Sequence, residues 1–118
     1  MKMFKADAVA AQEMEDLNSF TLIVAENEDG SGSRLEIQKA LAFDEQDREL
    51  GQDTYCVVTD TGATHYGGIE SWVLEGGVLE IKLPTEVAGL LGLDGGLRIE
   101  IDPAHHRLVQ ASMTRLVG

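Results

Sequence analysis

The chain has 118 residues, 43% of them hydrophobic, which is enough for one core and too little for two, so one domain over residues 1–118 is expected. Nine Lys and Arg stand against 21 Asp and Glu, and the net charge of −12 disfavours nucleic acid and anionic membrane surfaces as partners. Acidity also serves solubility alone, but any charge-driven association points to a cationic partner.

In chain order, an early strand covers Met3 to Val9, and Ala8 to Leu17 reads equally as strand or helix. Phe20 to Ala25 is apolar on both faces, as a central strand is. Asn27, Asp29 and Ser31 with Gly32 have the spacing of a calcium loop, but the twelfth position is Gln38, which lacks the bidentate carboxylate; an acidic hairpin tip is the better reading. Arg34 to Gln38 alternates with Leu35 and Ile37 inward, and the polar acidic run Asp44 to Glu49, followed by Asp53, separates it from a β-branched and aromatic strand over Thr54 to Thr59. Ile69 to Leu74 and Val78 to Leu83 flank Gly76-Gly77 as a hairpin. A short helix spans Thr85 to Leu91 and stops at Gly92, and Leu97, Ile99 and Ile101 mark a last strand. Asp102 as N-cap and Pro103 at the first position open a helix to about residue 116, with His105 or His106, Val109, Met113 and Leu116 on one face. The fold class is mainly β (α+β): about seven strands in a twisted sheet or partial sandwich, with helices near 85–91 and 103–116. The short connections make most strand pairs antiparallel.

The single cysteine forms no intramolecular disulfide, and its setting Tyr55-Cys56-Val57-Val58 suits a small buried thiol in a reducing compartment. The N-terminus meets acids by Asp7 and lacks the apolar core of a signal peptide, and no run approaches the ~20 apolar residues of a membrane helix. The expected location is the cytoplasm.

Chemistry-bearing residues do not assemble into a catalytic pattern. Cys56, His65 and Asp60 have the residue types of a thiol triad, but a Cys between Tyr and Val on a strand is ordinarily inert. His105 and His106 are adjacent on a helix and diverge, so they cannot share a metal, and no metal, cofactor or catalytic residue is expected. The acidity is concentrated instead: Glu26 to Asp53 holds 9 acids against 3 bases. Closely spaced acids steer a basic partner, and nearby aromatics anchor it, with Trp72 reading as core. The candidate partner-binding residues are Asp44, Glu45, Asp47, Asp53, Tyr55, His65, Tyr66 and Glu70. The alternative is an acidic small-ligand or regulatory binding module without catalysis, using a pocket near His65 and Trp72.

Three segments carry a family resemblance: Phe43-Asp44-Glu45-Gln46-Asp47, Asp53-Thr54-Tyr55-Cys56, and Thr64-His65-Tyr66-Gly67-Gly68 with Trp72. In their order and spacing the chain resembles the immunity protein 10 family of bacterial polymorphic toxin systems, closely over Val24 to Leu83 and by length and order elsewhere. The resemblance implies a small, mostly β, cytoplasmic protein that protects its producer by binding a protein toxin domain. The excess of acids makes that domain's surface a basic one. Oligomeric state is left open.

Overall fold

A computed structural model describes residues 1–118 and has nine strands in two sheets. The strands are β1 (Lys2–Ala6), β2 (Ala8–Met14), β3 (Ser19–Ala25), β4 (Arg34–Ala40), β5 (Cys56–Thr59), β6 (Thr64–Tyr66), β7 (Ser71–Glu75), β8 (Val78–Lys82) and β9 (Gly96–Ile101). The helices are α1 (Glu45–Glu49), α2 (Thr85–Leu90) and α3 (His106–Leu116). The mainly β reading holds, with two strands more than expected. Ala8–Met14 resolves as a strand because all seven of its residues pair with β3, and Thr64–Tyr66 adds a short edge strand beside β5.

One sheet has the order β2-β3-β4-β5-β6 and is antiparallel throughout. The other has the order β1-β9-β8-β7, and its β1–β9 pair is the one parallel pair. That exception needs no short crossover, because the paired strands come from opposite ends of the chain.

Strand alternation sorts the side chains between two faces. In the five-stranded sheet, Leu22, Val24, Leu35, Ile37 and Val57 lie on one face and are buried. In the four-stranded sheet, Leu79, Ile81, Leu97, Ile99 and Ile101 do the same, and both sets belong to one hydrophobic cluster. Val109, Met113 and Leu116 of α3 join that cluster, so α3 covers part of the same inner face. Arg115 fixes its outer turn, stacking over the Phe20 ring at 3.9 Å from the centroid and pairing with Glu13 on β2. The start of this helix is as expected: the Asp102 carboxylate accepts from the Ala104 N–H at 2.9 Å, and Pro103 opens a single 3₁₀ turn before α3.

Three glycines make the sandwich possible. Gly76 and Gly77 have φ of +59° and +78°, the left-handed pair that a two-residue hairpin needs to join β7 and β8. Gly96, with φ +138°, opens β9 where a Cβ would stand 2.1 Å from the Ile81 carbonyl oxygen. No larger residue fits there without parting the two strands.

Candidate functional site

The acidic run that the sequence places in an exposed polar stretch forms a helix. Asp44 is its N-cap: its carboxylate accepts from the Asp47 N–H at 2.8 Å, while Asp47 accepts from the Asp44 N–H at 3.0 Å. This reciprocal capping box satisfies two backbone donors that a short helix would otherwise leave open. Its D-x-x-D spacing was the available signal for a helix here. The other end closes at Gly51, φ +70°, whose N–H reaches the Arg48 carbonyl, with Gln52 N–H on the Asp47 carbonyl at 2.7 Å.

Asn18, which sequence reasoning passed over, holds the near end of this segment. It adopts a left-handed conformation, its side-chain amide donates to the Ala42 carbonyl at 2.9 Å, and its side-chain oxygen accepts from the Ala42 N–H at 3.0 Å. The main chain adds Leu41 N–H to the Asn18 carbonyl at 3.1 Å. The acids of α1 are therefore carried on an anchored segment. No residue of α1 is buried, so the helix contributes little to the core and presents its charge to solvent.

The eight candidate residues do not form one patch. Asp44, Glu45 and Asp53 are exposed and Asp47 is half-buried, all on the segment between β4 and β5. Tyr66 is exposed at 44% and joins Gln52, Thr54 and Cys56 around a cleft of about 170 Å³ at the end of the five-stranded sheet. Five of the eight thus share one end of that sheet.

Tyr55 corrects the expectation of an exposed aromatic anchor. Its ring is buried in the core and its hydroxyl accepts from the Ile69 N–H at 2.8 Å. The hydroxyl satisfies a backbone donor at the point where the chain leaves the five-stranded sheet for the other. His65 faces inward, opposite Val57, and its Nδ1–H donates to the Gly67 carbonyl at 3.0 Å. A Cβ on Gly68 would meet the imidazole at 2.9 Å, so the bare glycine turn and the ring are packed as one unit. Glu70 is exposed but lies beyond that crossing, its N–H on the Lys82 carbonyl at 2.9 Å beside the four-stranded sheet.

Cys56 is buried as expected, and Trp72 packs against the core although it is only half-buried. Cys56 is buried and free, but its side chain is on the outer face of its sheet, between Gln38 and Tyr66, and lies outside the core cluster. Burial pushes its thiol above the ordinary value, with the nearby Glu36 carboxylate adding to the effect, so the nucleophilic thiolate is disfavoured. Trp72 is half-buried on the edge strand β7, and its indole N–H donates to the Gly118 carbonyl at 3.1 Å. An open groove of about 670 Å³ runs beside Trp72, lined also by Ile69, Leu74 and Val117, but His65 does not line it.

The hairpin tip at Asn27–Ser31 satisfies its own polar groups. Asp29 accepts from the Ser31 hydroxyl at 2.6 Å and N–H at 3.0 Å, which holds its carboxyl below the usual range. Asn27 donates to the Ser31 carbonyl at 3.1 Å. No three His, Cys, Asp or Glu residues cluster in a metal-binding arrangement, and no helix is long and apolar enough to cross a membrane.

No curated protein and no solved structure matches the chain. The family model described as Immunity protein 10 matches residues 5–109, taking in eight of the nine strands whole, all but the first three residues of β1, both sides of the α1 segment and the start of α3. On that match, the sandwich with its capped acidic segment belongs to the Immunity protein 10 family.

Proposed function

We propose that this chain binds a bacterial toxin domain with a basic surface and neutralises it by occlusion, without catalysing a reaction, in the cytoplasm of the toxin-producing cell. The observation that carries the reading is the anchored segment between β4 and β5. It holds Asp44, Glu45, Asp47 and Asp53 on one short stretch, with Tyr66 exposed beside it. Ordering the charges before the encounter lowers the entropy lost on binding, and their shared sign speeds association with a cationic surface by ~10–10³ at low salt. Within this reading Tyr55 and His65 hold the β6 end of the sheet in place rather than touching the partner, and Glu70 belongs to the neighbouring surface.

A toxin that acts on nucleic acid carries a basic cleft, and carboxylates placed across such a cleft compete with phosphate. The test is co-expression with the cognate toxin domain. Cells with the wild-type chain are expected to grow, and purified toxin domain to lose activity at a one-to-one ratio. Continued killing while the chain accumulates in soluble form would sink the reading.

A further inference from the structure

We propose that the toxin-docking surface is the open outer face of the five-stranded sheet, with the α1 segment as only one of its two acidic rims; this inference rests on the toxin-binding reading above. The cross-strand register defines the floor. One row runs Tyr66, Cys56, Gln38, Thr21, Gln12, and the next runs Thr64, Val58, Glu36, Ile23, Ala10. Neither α3 nor the second sheet covers these rows, because both pack on the opposite face through Leu22, Val24, Leu35 and Ile37.

The floor is nearly neutral. Its charged residues are Glu36 and Arg34, which pair with each other at 3.4 Å. The rims are acidic. At the Ala25 end stand Asp7, Glu28 and Asp29, with Arg34 and His105 beside them, around a groove of about 590 Å³ floored by Ala8, Ala10 and Ile23. At the Ser19 end stands the segment bearing Asp44, Glu45, Asp47 and Asp53. A centre poor in charge with a polar rim is the arrangement of a protein-protein interface, and here the one ion pair of the floor is Arg34 with Glu36.

The other open face supplies a contrast within the same molecule. On the outer side of the four-stranded sheet, Lys5, Lys82 and Arg98 are matched by Glu75, Glu80 and Glu100, and Arg98 pairs with Glu80 at 3.4 Å. That face also has no net charge, but six charged side chains stand on its strands where the five-stranded floor has two. Five strands at ~4.8 Å spacing and seven residues at ~3.3 Å give a floor of about 400 Å². That is half of the ~800 Å² per partner of a stable complex, so the contact must extend onto the rims. The occupant that fits is a protein domain with two basic patches about 20 Å apart and an uncharged ridge between them.

The experiment uses the full chain and an inactivated form of the cognate toxin domain, with affinity read by calorimetry and contacts by hydrogen exchange of the wild-type complex. Ala10→Arg and Thr64→Arg place bulk at two exposed floor positions. Val73→Arg, on the four-stranded sheet at 46% exposure, is the control. The floor variants are expected to weaken binding about 30-fold or more, the control by less than about threefold, and protection to fall on β2 and β6. Normal binding by the floor variants, or protection confined to β7 and β1, would overturn the inference and leave toxin binding standing. A wild-type chain that does not bind the domain at all would overturn both. The exchange footprint needs no variant, so it decides the matter even if a substitution impairs folding.

Discussion

Asp44 has two separable jobs, a cap and a charge, and the two can be pulled apart. Alanine removes both, because the carboxylate accepts the Asp47 N–H at 2.8 Å and carries part of the acidic field. Asparagine keeps a comparable cap and removes the charge. Loss of an N-cap costs about 1 kcal/mol. At ~2.1 cal/mol/K per residue, a chain of 118 residues has an unfolding entropy near 0.25 kcal/mol/K, so that loss moves Tm by about 4 °C at most. The shift is an upper bound: no residue of α1 is buried, and the helix melts locally at little cost to the rest. Asp44→Asn is therefore expected to leave Tm within about 1 °C of wild type, and Asp44→Ala to lower it by about 1–4 °C. Both lose one charge at the rim and slow association with a basic toxin domain by a similar factor of about two to three at low salt. Stopped-flow association at low and high salt, beside scanning calorimetry, measures both quantities. If Asp44→Asn associates at the wild-type rate at low salt, this carboxylate does not steer. If Asp44→Asn loses as much Tm as Asp44→Ala, the capping argument is wrong.

Gly96→Ala sets a Cβ 2.1 Å from the Ile81 carbonyl at a φ of +138°, so the β8–β9 pairing must shift; a loss of at least about 3 kcal/mol is expected in urea titration, and a Tm within ~3 °C of wild type would refute it. Tyr55→Phe leaves the ring and strips the acceptor from the Ile69 N–H, for a cost of about 1–2 kcal/mol; an unchanged urea midpoint would mean that water replaces the hydroxyl without penalty. Cys56 is expected to resist alkylation at pH 8 until the chain is unfolded, and prompt labelling of folded protein would contradict its burial. Its folded thiol value is raised, so the associated stability is complete below the ordinary 9.0 and is lost as pH rises past it; Cys56→Ala should lose less stability than wild type as pH is raised above about 9.

Much of the strand plan was legible because each run carries its own period. Leu35 and Ile37, Leu79 and Ile81, and Leu97, Ile99 and Ile101 alternate cleanly, and each set is buried in the structure. Ala8–Met14 was ambiguous because AVAAQEM has good helix formers and no clean alternation; seven cross-strand pairs with β3 decide it, and pairing over that distance leaves no local trace. The parallel β1–β9 pair is illegible for the same reason, joining residues more than ninety positions apart.

The candidate site was harder to read, since periodicity tells which residues share a face but not which face is covered. Cys56 and Val57 are both apolar and both buried, yet Val57 meets the core and Cys56 lies beside Tyr66 on the outer side. Residue type misled at Tyr55 as well. A tyrosine next to acids suits an interface, but one hydroxyl hydrogen bond makes it equally fit for a core that must satisfy a stray backbone N–H, and Ile69 provides that donor. The acids were recognised as a group without the reason for their spacing. Asp44 and Asp47 are three apart because each caps the other's backbone, so part of what looks like charge density follows from helix geometry. Glu45 and Asp53 have no such structural partner, and neither takes part in an ion pair within 4.0 Å. Their conversion to Gln and Asn therefore tests charge with the least disturbance of fold, and an acidic rim that serves a partner must lose association rate there first.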